Sequence, residues 1–219
     1  MSGEKFDLVI AHYKESLGWI KRLNNSHIRH IYVYSKYKQS SVFDYKKINP
    51  KTIINYLPNI GREAHTYLYH CLNNYDALPE HLFFLQGNPK CHGLDEDKIS
   101  YWIDNIIDNK LNHSNNYSPN SSINLGLTPD GRRDFWAGSA TDPSLHDIKS
   151  FIKTYISKDK NEKSFRNIYF GANFSVSKDR ILSRDVSEYK RLIDNELSTI
   201  NPESGHYMER LWFYWFNLT

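Results

Sequence analysis

Short apolar runs alternate with amphipathic helical patterns over the first half of this 219-residue chain. The runs at residues 6–13, 27–36, 52–58 and 82–86 are rich in β-branched and aromatic residues and have the length of strands. Residues 61–75 instead place their apolar side chains three and four positions apart, which predicts a helix. Strands that alternate with helices favour a mostly parallel sheet covered by helices, so we predict an α/β, Rossmann-like fold in one domain spanning 1–219.

The second half is predicted to contain more helices and a long loop. Residues 112–143 are rich in Asn, Ser, Gly and Pro, which is typical of a functional or a disordered loop. Asp142 is expected to cap the helix that follows, with Pro143 in its first turn. The remaining predicted elements are helices at 103–111, 144–156, 187–197 and 202–216, and a strand, glycine break and strand at 167–177.

Composition limits the classes of function. The net charge of +3 is too small to predict nucleic-acid binding, although it fits an anionic ligand. Two cysteines and no signal-peptide pattern lead us to expect a reducing, cytoplasmic location. No apolar run approaches the length of about 18 residues that a spanning helix needs. The aromatic stretch LWFYWF at 211–216 is interpreted as core packing, with peripheral membrane contact or a dimer seam as the alternatives.

Polar side chains follow the first predicted strand. In open α/β sheets, ligands bind beyond the carboxyl ends of the strands. His12, Tyr13 and Glu15 occupy that position here, and Tyr13 is suited to stack on a base while Glu15 is suited to hold a ribose or a base edge. A plain surface loop is the alternative interpretation.

Two further strand ends carry candidate donor-binding residues. After the third strand, Asn59 is a candidate N-cap, Gly61 permits a tight turn, and Arg62 adds a phosphate-binding fork at a helix N-terminus. The alternative is that Arg62 pairs with a nearby carboxylate such as Glu63 or Glu15. After the fourth strand, Gln86 is a candidate to bond a hydroxyl and Asn88 a candidate to contact a metal or a sugar. The alternative is a turn fixed by Gly87 and Pro89.

Glu209 is the candidate general base. It lies in GHYMERLW on a predicted amphipathic helix, beside an apolar face that could partly desolvate its carboxylate. Desolvation raises the pKa of a carboxylate toward the range of a general base. The alternative is an ordinary surface ion pair.

The order of these pieces resembles that of a GT-A glycosyltransferase. The first strand ends near an acidic residue, and an Asn-x-Gly precedes a helix. An apolar strand follows that in GT-A enzymes normally ends in Asp-x-Asp, and an acidic residue that serves as the base comes late in the chain. The chain is also identified as a member of the DUF3431 family through four blocks. These blocks are DLVIAHYKESLGW, LPNIGREAHTYLYHCLNNYDALPEHLFFLQGNP, FGANFSVSKDRIL and the late ERLW. The GT-A resemblance implies an inverting transferase with Glu209 as its base.

This chain has Gln86-Gly87-Asn88 where Asp-x-Asp normally binds a divalent metal. Neutral oxygens hold Mg²⁺ or Mn²⁺ poorly without carboxylates, so no metal ligand is predicted and a metal requirement finds no support in this motif. Arg62 and the Arg132-Arg133 pair are the cationic groups expected to neutralise a leaving diphosphate. Trp136, in the same long loop, is a candidate platform for a sugar, and the loop is a candidate lid.

The resulting hypothesis is an inverting glycosyltransferase that takes a nucleotide-sugar donor and a glycan or polysaccharide acceptor. The main alternative is a non-catalytic sugar- or nucleotide-binding module, which the missing carboxylate pair favours. A single-strand nucleic-acid binder is a third hypothesis, and the scattered basic residues argue against it.

Overall fold

The computed structural model describes residues 5–37, 49–109, 142–158 and 172–217. Its strands are β1 (Phe6–His12), β2 (Ile28–Ser35), β3 (Thr52–Tyr56), β4 (His81–Gln86) and β5 (Phe174–Ser177). Its helices are α1 (Arg62–Asn73), α2 (Glu96–Asn109), α3 (Ile148–Phe151, continued as a π-helix over Ile152–Ile156), α4 (Lys178–Leu182), α5 (Val186–Glu196) and α6 (Glu203–Asn217). Short 3-10 helices occupy Gly18–Arg22, Tyr75–Ala77 and Pro89–His92.

The five strands form one sheet in the order β3-β2-β1-β4-β5. The first four strands are parallel, and β5 runs antiparallel to β4. The prediction of an α/β fold with a mostly parallel sheet is therefore confirmed. Because β2 and β3 lie on one side of β1 and β4 on the other, the strand order reverses between β1 and β4, which is where open sheets of this type bind ligands.

The described residues form two compact units. The sheet unit contains residues 5–37, 49–58, 76–109 and 173–179, and the helical unit contains 59–75, 142–158, 172 and 180–217. The prediction that the chain is one domain stays a prediction.

One buried cluster of the sheet unit lies on one face of the sheet. Phe6, Leu8 and Ile10 alternate along β1, so their side chains point to the same face, where they belong to one buried cluster with residues of α2. Trp102 of α2 meets Phe83 of β4 edge to face, with ring centroids 4.9 Å apart. This contact packs α2 against β4 on that face of the sheet.

Aromatic side chains build the core of the helical unit. Trp215 meets Tyr189 of α5 edge to face at 5.6 Å, and Trp212 lies 5.8 Å from the ring of Tyr67 on α1. The residues from 211 to 216 are buried except Phe213, which is half-buried, so the aromatic C-terminal stretch packs as core. In the described part of the chain, no helix is long and apolar enough to cross a membrane.

Two predicted helix starts are wrong. α2 begins at Glu96 rather than at 103, because Asp95 accepts a hydrogen bond from the backbone N–H of Lys98 at 2.9 Å and caps the first turn. α3 is capped by Asp147, which accepts from the N–H of Ser150 at 2.7 Å, and not by Asp142. In both cases the first helical residue is set by the aspartate that accepts the backbone hydrogen bond, and the apolar spacing used for the prediction does not locate that aspartate.

Candidate functional site

The turn after β1 is organised by the carboxylate of Glu15. Its Oε2 accepts hydrogen bonds from the backbone N–H groups of Tyr13 at 2.7 Å and Lys14 at 3.1 Å. Among the described residues, Oε1 of Glu15 has no hydrogen-bond partner. The half-buried Glu15 therefore keeps one acceptor oxygen available at the sheet edge where the strand order reverses.

His12 lies beneath this turn. Its Nε2–H donates to the carbonyl oxygen of Glu15 at 3.0 Å, and its Nδ1 lies 3.0 Å from Oγ of Ser35 at the end of β2. The side chain is buried, and both ring nitrogens contact protein atoms. His12 is thus placed to shape the turn that carries Glu15.

Gly87, directly after β4, lies against the same turn. A Cβ at this position would approach Oε2 of Glu15 to 2.6 Å. Its carbonyl oxygen accepts a hydrogen bond from Nε1 of Trp19 at 3.0 Å. Glycine is needed here because the Glu15 carboxylate occupies the space of a side chain.

Gln86 and Asn88 flank this glycine in different environments. The backbone N–H of Gln86 donates to Oδ1 of Asn173 at 2.8 Å, and Nδ2 of Asn173 donates to Oε1 of Gln86 at 3.4 Å. Asn88 is exposed, and its Nδ2 lies 2.9 Å from Sγ of Cys91. The sheet edge therefore offers neutral amide groups at the position where the family resemblance leads one to expect carboxylates.

Tyr13 presents an aromatic ring to solvent with 40% of its surface exposed. It meets Tyr37 edge to face with centroids 5.5 Å apart, and Nζ of Lys14 lies 5.1 Å and 5.0 Å from the two rings. An exposed ring with a cation beside it is suited to stack on a planar, electron-rich ligand.

Gly61 begins α1 in the helical unit. Its φ of +59° lies in the left-handed region, and a Cβ there would approach the carbonyl oxygen of Leu197 to 2.6 Å. Its N–H donates to the carbonyl oxygen of Thr199 at 2.7 Å. The prediction that Asn59 caps this helix is wrong, because Gly61 is the N-cap and the exposed Asn59 lies outside the helix.

Arg62 extends from this helix start to two residues near the beginning of α6. Its Nη1 donates to Oδ1 of Asn201 at 3.3 Å and to Nε2 of His206 at 3.0 Å. Its Nε also lies 3.6 Å from Oε2 of Glu63, as the ion-pair interpretation predicts. The side chain keeps 33% exposure, so the guanidinium is anchored yet reaches solvent.

His206 is a neutral acceptor in this arrangement. Because a guanidinium can only donate, Nε2 of His206 accepts the bond from Arg62. Burial, together with the positive charges of Arg62 and Arg210, lowers the pKa of His206 to about 4. The buried histidine therefore orients the guanidinium without adding positive charge at neutral pH.

Glu209 lies on the face of α6 that Arg62 crosses. A Cβ on Gly205 would meet Cδ of Arg62 at 3.2 Å, and His206 bonds Arg62 directly. Glu209 is four residues after Gly205 and three after His206, and residues at these spacings share one helix face. The half-buried Glu209 is thus one helical turn beyond the contact with Arg62.

The other predicted site residues lie outside the described part of the chain. These are Arg132, Arg133 and Trp136, and the predicted lid role of their loop stays a prediction. In residues 5–37, 49–109, 142–158 and 172–217, no three side chains of His, Cys, Asp or Glu come together in a group that could hold a metal ion.

Three residues of these arrangements were not predicted. Asn173 lies two positions after Gly171, at the predicted break between two strands, and His206 precedes Glu209 by three positions on the predicted helix. Each position is therefore a weak local indication that the residue lies near a candidate site. Asn201 carries none, because its contact with Arg62 joins positions far apart in the sequence.

The sequence matches the family described as "Protein of unknown function (DUF3431)" over residues 8–124. No curated protein matches the chain. Among solved structures, the chain is similar to a cytidylyltransferase from Leptospira borgpetersenii serovar Hardjo-bovis (strain JB197). That likeness has 11% identity and a TM-score of 0.37, and it covers 87% of this chain and 69% of the other. A likeness this distant carries no argument about activity.

Proposed function

The chain belongs to the DUF3431 family, and we propose that it is an inverting glycosyltransferase that transfers a sugar from a nucleotide-sugar donor to a glycan or polysaccharide acceptor. The family description names no activity. The proposal therefore rests on the side chains described above and on the resemblance to GT-A enzymes.

The observation that carries the proposal is the contact of Arg62 with the face of α6 that also carries Glu209. An inverting transferase needs a base for the acceptor hydroxyl and positive charge for the leaving diphosphate. Glu209 supplies a carboxylate one turn from the point where Arg62 crosses α6 at Gly205. His206 and Asn201 hold the guanidinium from two sides, so the cation is oriented before a ligand arrives.

The reaction is a single displacement. Glu209 takes the proton of the acceptor hydroxyl as that oxygen forms a bond to the anomeric carbon. The bond from the anomeric carbon to the phosphate oxygen breaks, and its electron pair leaves with the nucleoside diphosphate. Arg62 neutralises part of the developing negative charge, which a fixed cation can stabilise without rearrangement. One displacement inverts the configuration at the anomeric carbon.

Within the sheet unit, nucleoside binding is assigned to residues at the carboxyl ends of β1 and β4. Tyr13 offers its exposed ring to the base, and Oε1 of Glu15 accepts from a ribose hydroxyl or a base N–H. Gln86 and Asn88 are assigned to neutral hydrogen bonds with the donor, and the donor-binding role of Asn59, in the helical unit, stays a prediction. His12 acts through the turn that it supports, as its two internal contacts indicate.

A donor screen followed by turnover tests the proposal. Nucleoside diphosphates and their sugars, with and without Mn²⁺, are screened by thermal shift. A ligand at about 100 times its dissociation constant adds roughly 2.7 kcal/mol of stability. Sugar transfer or donor hydrolysis is then measured for the wild type and for Glu209→Gln. Loss of a general base lowers turnover by about 10²–10⁴-fold.

The matched control is Asp194→Asn, which removes one exposed carboxylate from α5. It should leave turnover unchanged. Equal rates for Glu209→Gln and wild type would remove the base assignment. Donor binding with neither transfer nor hydrolysis would instead support the non-catalytic binding module.

A further inference from the structure

The segment Asp142–His146 is fastened to the chain around the start of α6 through alternate residues. Asp142, Ser144 and His146 each bond a residue between the end of α5 and the first turn of α6. The Oγ of Ser144 accepts from the N–H of Ser204 at 2.6 Å, and Nδ1 of His146 bonds the buried carboxylate of Glu196. We call residues 142–146 the clasp.

Asp142 makes the contacts of the clasp that fix Asn201. Its Oδ2 accepts from the backbone N–H of Asn201 at 2.9 Å, and its own N–H donates to the carbonyl of Asn201 at 3.3 Å. Its carbonyl oxygen accepts from the N–H of Glu203 at 3.1 Å. These three bonds hold the backbone on both sides of the Asn201 side chain.

Asn201 in turn holds Arg62. Its Oδ1 accepts from Nη1 of the guanidinium at 3.3 Å, and the carbonyl of Thr199, two residues earlier, accepts from the N–H of Gly61 at 2.7 Å. The short connection between α5 and α6 therefore makes two contacts with this region: Thr199 bonds the backbone of Gly61, and Asn201 bonds the guanidinium of Arg62.

We propose that Asp142 is a positioning residue for Arg62, acting through Asn201. The inference rests on the proposed function, in which Arg62 binds the diphosphate of the donor. Asp142 orders the carbonyl and amide groups of Asn201, and Asn201 sets the direction of the guanidinium. Without Asp142, Arg62 keeps its charge and loses its fixed direction, so affinity for a diphosphate falls.

The test is calorimetry with inorganic pyrophosphate on four single variants of the full chain, with one double variant and one further substitution of Asp142 described below. Asp142→Ala should weaken pyrophosphate binding by about tenfold, since one hydrogen bond of about 1.4 kcal/mol corresponds to that factor. Asp142→Asn keeps an acceptor oxygen and should restore binding to near the wild-type value. Ser144→Ala removes a neighbouring clasp contact that has no link to Asn201 and should leave affinity unchanged.

The fourth variant, Arg62→Ala, separates this inference from the proposed function. Arg62→Ala should weaken binding, and adding Asp142→Ala to it should cost nothing further, because both changes remove the same interaction. If Arg62→Ala binds pyrophosphate as the wild type does, the proposed anion site and the positioning role both fail.

If Arg62→Ala weakens binding while Asp142→Ala behaves as Ser144→Ala does, the anion site stands and the positioning role is overturned. Asp142→Glu covers the case in which Asp142→Ala does not fold. It keeps the charge but moves the carboxylate by one methylene, so it should also weaken binding, and wild-type affinity for this variant would overturn the positioning role.

Discussion

Arg62 donates a hydrogen bond to Nε2 of His206, with 3.0 Å between the nitrogens. The bond joins the first turn of α1 to the first turn of α6, and it requires His206 to be neutral. Only 4% of the surface of His206 is exposed, so protonation would place a second positive charge against the guanidinium in a buried position.

The stability of the protein should therefore fall in acid through His206. Its pKa is near 6.5 in an unfolded chain and about 4 in the fold. Between pH 6.5 and 4 the unfolded chain binds a proton at His206 that the folded chain does not bind. The unfolding free energy is therefore at its full value above pH 6.5 and decreases as the pH falls toward 4. The difference corresponds to about 3 kcal/mol of unfolding free energy, measurable by urea denaturation at pH 7 and pH 4.

His206→Gln provides the comparison, because an amide oxygen accepts from Arg62 and does not titrate. Burial raises the pKa of Glu196, which gives the opposite trend over part of this range. That contribution cancels in the difference between the two proteins. Identical pH dependence for wild type and His206→Gln would contradict the burial of a neutral histidine against Arg62.

A methyl group at Gly87 should displace the Glu15 carboxylate from its hydrogen bonds in the turn after β1. In Gly87→Ala the new Cβ would lie 2.6 Å from Oε2 of Glu15, so the turn after β1 must move. We expect a loss of about 1–3 kcal/mol in unfolding free energy, as for other overpacked sites. Gly18→Ala is the control, since its Cβ would meet its nearest atom at an ordinary 3.6 Å. Equal stability of the two variants would show that Glu15 does not pack against Gly87.

Arg184 should be a principal determinant of stability in the helical unit. Its guanidinium donates to the carbonyl oxygens of Trp215, Tyr155 (3.2 Å) and Ile156 (3.3 Å), and it stacks 4.0 Å from the Trp215 ring. Arg184→Ala leaves these buried acceptors without this donor, and each such loss costs about 1–3 kcal/mol. We expect a loss of about 3 kcal/mol or more, measured by chemical denaturation.

Arg191→Ala is the matched control for this loss. Arg191 is exposed, donates to one carbonyl, that of Thr154, and lies 5.2 Å from the Tyr155 ring. Its removal should change the unfolding free energy by about 0.5 kcal/mol or less. Similar losses for the two variants would contradict the central role given to Arg184.

Local patterns predicted the elements well and their ends poorly. The apolar spacing of 61–75 correctly predicts α1, because that periodicity follows from the face that the helix buries. The N-cap prediction at Asn59 failed, because the start of α1 is set by Gly61 against Leu197 and by a bond to Thr199. Those partners lie more than 130 residues away along the chain and have no trace in the local pattern.

In the candidate site, too, the sequence predicts individual residues and does not predict their distant partners. Positions at strand ends predicted that Glu15 and Gln86 lie at one edge of the sheet, since neighbouring parallel strands bring their carboxyl ends together; their binding roles stay predictions. The partner of Gln86, Asn173, directly precedes β5. Its position depends on the antiparallel pairing of β5 with β4, which the alternation of strands and helices does not predict. Asp142 was predicted to cap a helix, and its real contact with Asn201 arises from tertiary packing.

The configuration of the product should be inverted. A single displacement with Glu209 as base converts an α-linked donor into a β-linked product, and a β-linked donor into an α-linked one. Proton NMR distinguishes the two anomers of the first product formed. When the donor is hydrolysed instead, the spectrum is recorded before the released sugar equilibrates between its anomers. Retention of configuration would require two displacements or attack from the side of the leaving group, and it would contradict the single back-side displacement with Glu209 as base.

The roles proposed for Glu209 as base and Arg62 as diphosphate-binding cation are tested most directly on three proteins: the wild type, Glu209→Gln and Arg62→Ala. Donor turnover and nucleoside diphosphate affinity are measured for each. Glu209→Gln should lose about 10²–10⁴-fold in turnover and bind the nucleoside diphosphate as the wild type does. Arg62→Ala should bind it at least about tenfold more weakly, the loss expected for one hydrogen bond to a charged group. Wild-type turnover for Glu209→Gln, or wild-type affinity for Arg62→Ala, would contradict the assignment of base and cation to this face of α6.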